Sequence, residues 1–441
     1  MTFTELVIKL SSAKLNMKLP RSIIQSKQQK KLREMLLFAY KHSPYYHKVF
    51  KEAGINSNNI SSAPIENFPT IDKNTLLENF DRIITVKDIS QEKLRKFDTA
   101  ANSDKRSLDE KYHIVHSSGS TGDPGYFLYD NNAWDDMLIG IIRAALWDMS
   151  MSQIFRLKMS KPKILYIAAA DGRYAGAMAV GDGLDDLGFE KLVLDVQMPL
   201  GELISKIESF RPDIIIGYPT AIKMLLQSSG CRFDLSRVIT CGEPLSEGLR
   251  NYFKKRFRCK IINFYGASES IAIGVEDDNS DGMYLFDDMN YIEIGEDGIY
   301  LTCLYNFVQP LIRYKISDSI EKMPLDNKCP FTKIKNVLGR NEDVMWFKNE
   351  EGNDEFLHPL SVEGLCINGL LDYQFAKKSD KHFEIHAQLR NGADSKRILS
   401  ELEKYMQKIL NLNGLGNISF KINIVSEINA DKQTGKKRLV V

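Results

Sequence analysis

The sequence predicts an α/β fold: a large N-terminal domain of several subdomains, with mostly parallel sheets plus a distorted antiparallel barrel, followed by a small α+β C-terminal domain. Three observations carry this. From residue 163 onward, short apolar runs alternate with helical patterns, the rhythm of a parallel sheet with crossover helices. Between 282 and 320 that rhythm gives way to short alternating strands separated by Gly and Asp turns, as antiparallel hairpins require. Beyond Gly339-Arg340 the pattern becomes alternating strands around one amphipathic helix. The domains are expected at 1–340 and 341–441, since 441 residues exceed one ordinary domain.

The first element is a helix over 22–42, where Ile24, Leu32, Leu36, Leu37 and Tyr40 recur at helical spacing until Ser43-Pro44. A shorter helix runs from Tyr45-Tyr46 to Gly54, and the stretch to about 112 carries no clear pattern. Asn131 or Asn132 is expected to cap a helix bearing Trp134, Leu138, Ile141, Ile142 and Ala145. Parallel strands follow at 163–168, 213–218, 237–242 and 260–265. Helices open at Pro219-Thr220 and at Pro244, a proline whose missing N–H costs nothing in a first turn. In the last hundred residues, strands are expected at 343–347, 372–376, 382–389 and 418–425. A helix over about 394–411 aligns Ile398, Leu399, Leu402, Tyr405, Met406 and Ile409 on one face.

Composition narrows the function. Hydrophobic residues make up 43% and charged residues 27%, the balance of a globular protein without low-complexity tracts. Fifty-nine basic against 58 acidic residues leave a formal charge of +1, which favours neither a nucleic-acid nor a membrane partner. Lys27, Lys30, Lys31 and Arg33 form a local basic cluster on a helix, read as a solvated face. The six cysteines show no zinc-ligand spacing and read as reduced thiols. With no leader-like N-terminus and no run of membrane-spanning length, a cytoplasmic location is expected.

The most distinctive stretch is His116-Ser117-Ser118-Gly119-Ser120-Thr121-Gly122-Asp123-Pro124-Gly125, with three glycines and four hydroxyl residues in ten positions. Such a run disfavours helix and strand interiors, but exposes backbone N–H groups and hydroxyls around an anion. Strand-like residues flank it. It is not a Walker A loop, because Asp-Pro stands where Lys-Ser/Thr would enter a helix.

Ligands of open α/β sheets sit beyond the carboxyl ends of the strands. Thr240-Cys241-Gly242-Glu243-Pro244 follows one strand and Tyr265-Gly266-Ala267-Ser268-Glu269-Ser270 the next. Further on, Arg313-Tyr314-Lys315-Ile316-Ser317-Asp318 ends in a carboxylate suited to a diol. Singly, each fits an ordinary turn, surface or core position better.

In order along the chain, these motifs, followed by Gly339-Arg340-Asn341-Glu342-Asp343 and a terminal Gly435-Lys436, resemble the adenylate-forming superfamily. The resemblance is strongest to its phenylacetate–CoA ligase and CapK-like branch. The N-terminal region resembles that branch as well, through Ser43-Pro44-Tyr45-Tyr46, Ala53-Gly54-Ile55 and Phe68-Pro69-Thr70-Ile71-Asp72-Lys73. The resemblance implies that Ser117, Ser118, Gly119, Ser120, Thr121 and Gly122 hold the β- and γ-phosphates of ATP. Gly242, Glu243 and Pro244 would line the adenine pocket, with Tyr265 stacked on the purine beside Gly266 and Ser268. Glu269 would reach Mg²⁺, the charge-neutralising ion of pyrophosphate release. Asp318 would bind the ribose hydroxyls with Arg340 nearby. Glu342 would be the hinge, and Lys436 the lysine bridging carboxylate and α-phosphate, with Lys437 an open alternative. An acyl pocket is expected around Ala170, Asp171, Gly172 and Tyr218.

The implied activity is ATP- and Mg²⁺-dependent formation of an acyl-adenylate from a small carboxylic acid, with pyrophosphate release and acyl transfer. CoA is the default acceptor, with a carrier-protein thiol, an amine or a sugar hydroxyl as the alternative. Two further alternatives stand beside it: AMP transfer to a hydroxyl-bearing acceptor, and a non-catalytic nucleotide-binding protein. A homodimer is common among similar proteins. Two departures stand out: Asp123 occupies a position where many relatives carry Lys, and the segment from Met345 to Glu355 is acidic where CoA would bring phosphates.

Overall fold

A computed structural model of the chain describes residues 1–98, 107–116, 125–168, 176–181, 188–196, 198, 200–228, 233–278, 280–295, 298–316, 318–324, 328–340, 345–352, 354–357, 362, 365, 367, 369–412, 414–428 and 439–441. The N-terminal residues form α1 (Phe3–Asn16), a helix that the sequence pattern does not announce. Thr2 and Glu5 close a capping box, and the two apolar residues Leu6 and Leu10 dock on Ile139 and Ile142. Next come α2 (Arg21–His42) and α3 (Pro44–Glu52), close to the expected bounds. The stretch before 112 contains two further helices, α4 (Lys73–Ile83) and α5 (Gln91–Phe97), started by the side chains of Asp72 and Ser90.

β1 (Tyr112–His116) and β2 (Tyr126–Asp130) form an antiparallel hairpin whose connection is the Ser/Gly loop. α6 (Asn131–Ala145) follows. Its cap is Asp130, which accepts from the Ala133 N–H at 2.7 Å, in place of the expected Asn131 or Asn132. After α7 (Met151–Ser160) the alternating region begins with β3 (Ile164–Ala168), β4 (Lys191–Asp195), α8 (Leu200–Phe210) and β5 (Ile214–Gly217). It continues with α9 (Pro219–Ser228), β6 (Arg237–Cys241), α10 (Glu247–Phe257) and β7 (Lys260–Ala267). α10 starts three residues later than Pro244, because Ser246 supplies the capping oxygen to the Leu249 N–H.

The strands then turn antiparallel: β8 (Ser270–Glu276), β9 (Met283–Leu285), β10 (Asn290–Gly295), β11 (Gly298–Cys303), β12 (Tyr314–Ile316), β13 (Asp318–Lys322) and β14 (Lys333–Arg340). A nine-stranded sheet results, in the order β13-β14-β9-β8-β7-β6-β5-β3-β4, with β3 to β7 parallel. The antiparallel region expected as a distorted barrel is divided among the described residues. β8, β9, β13 and β14 extend the large sheet, and β10, β11 and β12 form a sheet of their own. Within the parallel part the order β4-β3-β5-β6-β7 makes β3 and β5 neighbours whose connections leave in opposite directions. That is the topological switch point where such sheets bind ligands.

The remaining residues build a small C-terminal sheet domain with its own core. It contains β15 (Met345–Lys348), β16 (Asp354–Leu357), β17 (Leu370–Ser379), β18 (His382–Leu389), α11 (Ser395–Leu412) and β19 (Ser419–Val425). Ile398, Leu402, Met406 and Leu410 of α11 pack with Phe375, Phe383 and Ile385. Lys223 of α9 reaches this domain, with Nζ 5.1 Å from the Tyr373 ring centroid and 3.5 Å from the Leu365 carbonyl oxygen.

Candidate active site

The carboxyl ends of β5, β6 and β7 lie side by side, and each carries residues singled out in the sequence. β5 ends at Gly217, followed by Tyr218, whose ring lies against Gly242 at the end of β6. Gly242 has φ of +75°, and a Cβ there would sit 2.6 Å from the Tyr218 ring, so both backbone and space demand glycine. The Glu243 carboxylate accepts from Thr220, from its backbone N–H at 3.1 Å and its hydroxyl at 2.7 Å. It thereby caps the N-terminus of α9, where a negative charge is favoured. Pro244 follows in the connection to α10.

β7 carries Tyr265 and Gly266. A Cβ on Gly266 would lie 2.1 Å from the Ile271 carbonyl oxygen, so the tight β7–β8 corner excludes any larger residue. Tyr265 donates its hydroxyl to Asp318 Oδ2 at 2.6 Å. Desolvation and the adjacent Asp318 charge push the Tyr265 phenol well above its ordinary value, which keeps it a donor. Asp318 opens β13 and pairs directly with Arg340, the last residue of β14, so these two expected partners are neighbours in the backbone register.

The turn after β7 carries Ser268 and Glu269. The Ser268 carbonyl oxygen accepts from the Tyr129 hydroxyl at 2.9 Å, which ties this turn to β2. The Glu269 carboxylate is hydrogen-bonded by the Tyr314 hydroxyl. Burial, followed by that carboxylate, raises the Tyr314 phenol far above its ordinary value. Sequence reasoning passes over Tyr314 as a partner of Glu269, although it stands beside Arg313. Among the described residues no three His, Cys, Asp or Glu side chains gather into a cation site. A lone carboxylate such as Glu269 suits Mg²⁺, which keeps several waters and takes most of its remaining ligands from phosphate oxygens.

Tyr265, Gly266, Ser268, Glu269 and Asp318 are thus brought together, and Tyr218, Gly242, Glu243 and Pro244 line the strand ends beside them. The loop residues Ser117 to Gly122 and the pocket residues Ala170, Asp171 and Gly172 lie outside the described residues, as do Glu342, Lys436 and Lys437. The side chain of Arg340 does so too. Their anchors are described: His116 and Gly125 bracket the loop, and Ala168 ends β3 at the switch point. Just beyond Lys436, the Leu439 carbonyl oxygen accepts from Phe375 at 2.8 Å and the Val441 N–H donates back to Phe375 at 2.8 Å.

The chain is similar to several known proteins. Residues 191–291 match the model of the AMP-binding enzyme family. Protein CapK of Staphylococcus aureus is 23% identical over 434 residues, covering 94% of this chain and 88% of that protein. A phenylacetate-coenzyme A ligase of Thermus thermophilus is 22% identical over 375 residues, covering 79% of this chain and 76% of the ligase. The crystal structure of a 2-hydroxyisobutyryl-CoA ligase in the postadenylation state shares the fold with a TM-score of 0.74 at 16% identity, covering 97% of this chain and 91% of the other.

Proposed function

We propose that the chain is a member of the adenylate-forming superfamily, in its phenylacetate–CoA ligase and CapK-like branch, and that it activates a small carboxylic acid with ATP. The acid carboxylate attacks the α-phosphorus and pyrophosphate leaves; a nucleophile then attacks the acyl carbon of the acyl-adenylate and AMP leaves. The observation that carries this reading is the meeting of Tyr265, Asp318 and Glu269 beyond the carboxyl ends of the strands. Tyr265 stacks on the purine and Asp318 accepts the ribose hydroxyls. Ser117 to Gly122 donate to the β- and γ-phosphates.

Mg²⁺, when bound, neutralises the leaving pyrophosphate, and Glu269 is the carboxylate offered to it. Tyr314 holds that carboxylate in one orientation. Lys436 supplies positive charge where the carboxylate meets the α-phosphate. The C-terminal domain, from 341 onward, delivers this lysine and turns about Glu342 to clear the site for the second step. The acid occupies the switch point, between the loop after β3 (Ala170, Asp171, Gly172) and Tyr218. Asp171 and Arg173 favour a polar acid over an aryl one.

CoA is the acceptor suggested by the phenylacetate-coenzyme A ligase relative. A second reading, an amine, carrier-thiol or hydroxyl acceptor, is favoured by the acidic β15–β16 hairpin, whose turn exposes Glu350 and Glu351. These charges repel the phosphates of CoA.

Acid-dependent ATP–pyrophosphate exchange over a panel of aryl, fatty, hydroxy and amino acids tests adenylation without any acceptor. Exchange that survives Lys436→Ala would remove the role given to that lysine. Adding CoA to the responsive acid, and looking for a thioester, separates the two acceptor readings.

A further inference from the structure

Residues 304–313 join β11 to β12 without regular secondary structure, yet most of them are buried. A buried irregular segment must find partners for its backbone groups elsewhere. Here Thr85 and Tyr46 provide them: the Thr85 N–H donates to the Val308 carbonyl at 3.0 Å, and Tyr46 bridges the Pro310 carbonyl and the Ile312 N–H at 3.0 and 3.1 Å. The segment is therefore anchored at Val308, Pro310 and Ile312.

Two side chains of this segment serve another strand in turn. Among the described residues, β2 has a neighbouring strand, β1, on one edge only. On its other edge the fully buried Gln309 presents its carboxamide as a substitute peptide. Oε1 accepts from the Leu128 N–H at 2.6 Å, and Nε2 donates to the Tyr126 carbonyl at 3.1 Å. Asn306 Nδ2 donates to the Leu128 carbonyl at 2.9 Å, and Asn306 Oδ1 accepts from the Gln309 backbone N–H at 3.4 Å. Three backbone groups of β2 are thus satisfied by two planar amides that leave no freedom to slide. β2 is the strand into which the Ser/Gly loop runs, and the segment holding it continues through Tyr314 to Asp318.

The geometry points to Gln309, braced by Asn306, as a positioning residue that fixes the exit of the 117–124 loop relative to Asp318. The inference rests on the reading of that loop as the phosphate site. Its consequence is selective. Nucleotide contacts through base and ribose do not depend on Gln309, whereas contacts through the β- and γ-phosphates do.

Calorimetric titration of ATP with Mg²⁺, and separately of AMP, into the full-length protein and the Gln309→Met and Asn306→Ala variants reads this directly. Gln309→Met is expected to weaken ATP about tenfold or more, as loss of a buried backbone partner would, while AMP changes by less than about threefold. Asn306→Ala shifts the ATP-to-AMP ratio in the same direction by a smaller factor, and carries the comparison alone if Gln309→Met does not fold. Equal weakening of both nucleotides, or no weakening of ATP, overturns the inference while leaving the nucleotide site intact. A wild-type protein that binds neither nucleotide overturns the site itself and the inference with it.

Discussion

The Tyr265 hydroxyl donates a 2.6 Å hydrogen bond to Asp318 across a sheet in which β8, β9 and β14 lie between their two strands. In a flat sheet four strand spacings would hold them about 19 Å apart. The antiparallel half therefore curls back on itself and brings the end of β13 over the end of β7. That curl, rather than proximity in sequence, assembles the candidate site.

Removing this bond while keeping the ring is the sharpest probe of the pair. Tyr265→Phe is expected to weaken ATP about tenfold, since a hydrogen bond to a carboxylate contributes roughly 1.5–3 kcal/mol and water replaces part of it. Combined with Asp318→Asn, the losses should fall short of additive in a double-mutant cycle of ATP affinities. Additive losses would mean that the two side chains act separately.

Glu243 is expected to act on stability through α9. Glu243→Ala should cost about 1–2 kcal/mol in urea unfolding, the usual loss of a helix cap, and Glu243→Gln less, because its amide oxygen still accepts from Thr220. Glu243→Ala added to a Thr220→Val background should cost less than it does alone. Unchanged stability in Glu243→Ala would show that its contact with Thr220 does not hold the helix end.

Lys223 connects α9 to the C-terminal domain through the Tyr373 ring and the Leu365 carbonyl. Lys223→Met keeps the length of the side chain and removes the charge. Faster proteolysis between the domains, with little change in melting temperature, is the expected outcome. An identical digestion pattern would show that the domains are held by other contacts.

Asp287 gives a pH signature. Burial pushes its carboxyl up to about 6, against hydrogen bonds from Thr332 and the Arg21 charge that pull it down. With the folded value above the unfolded one, the native state binds the extra proton between about pH 4 and 6. Its contribution to stability is full below that window and is lost as pH rises through it. Asp287→Asn keeps an acceptor for Thr332 and does not titrate. It should therefore gain on the wild type by about 2–3 kcal/mol from pH 4 to 7, as read by urea unfolding at each pH. A difference that stays flat over that range would contradict the buried, ionising carboxyl.

Much of the parallel sheet is legible in the sequence because doubly buried strands read as short apolar runs. β3, β5, β6 and β7 all fall within one or two residues of their expected bounds. α1 is not legible, since only Leu6 and Leu10 are buried along its length and its partner surface on α6 is distant in sequence. The site motifs are recognisable by their order along the chain. What order does not reveal is which way side chains face: Glu243 caps a helix, and Tyr314 donates to Glu269. Gln309 and Asn306 carry no motif at all. Their role follows from the free edge of β2, which exists only once the chain has folded.

Activation of an acid by ATP is read in a single assay, ATP–pyrophosphate exchange on the wild-type protein with Mg²⁺ and no acceptor. Exchange should depend on one class of small carboxylic acid and disappear when the acid is omitted. Bound ATP with no exchange on any acid in the panel would mean that the chain is not an acid-activating enzyme.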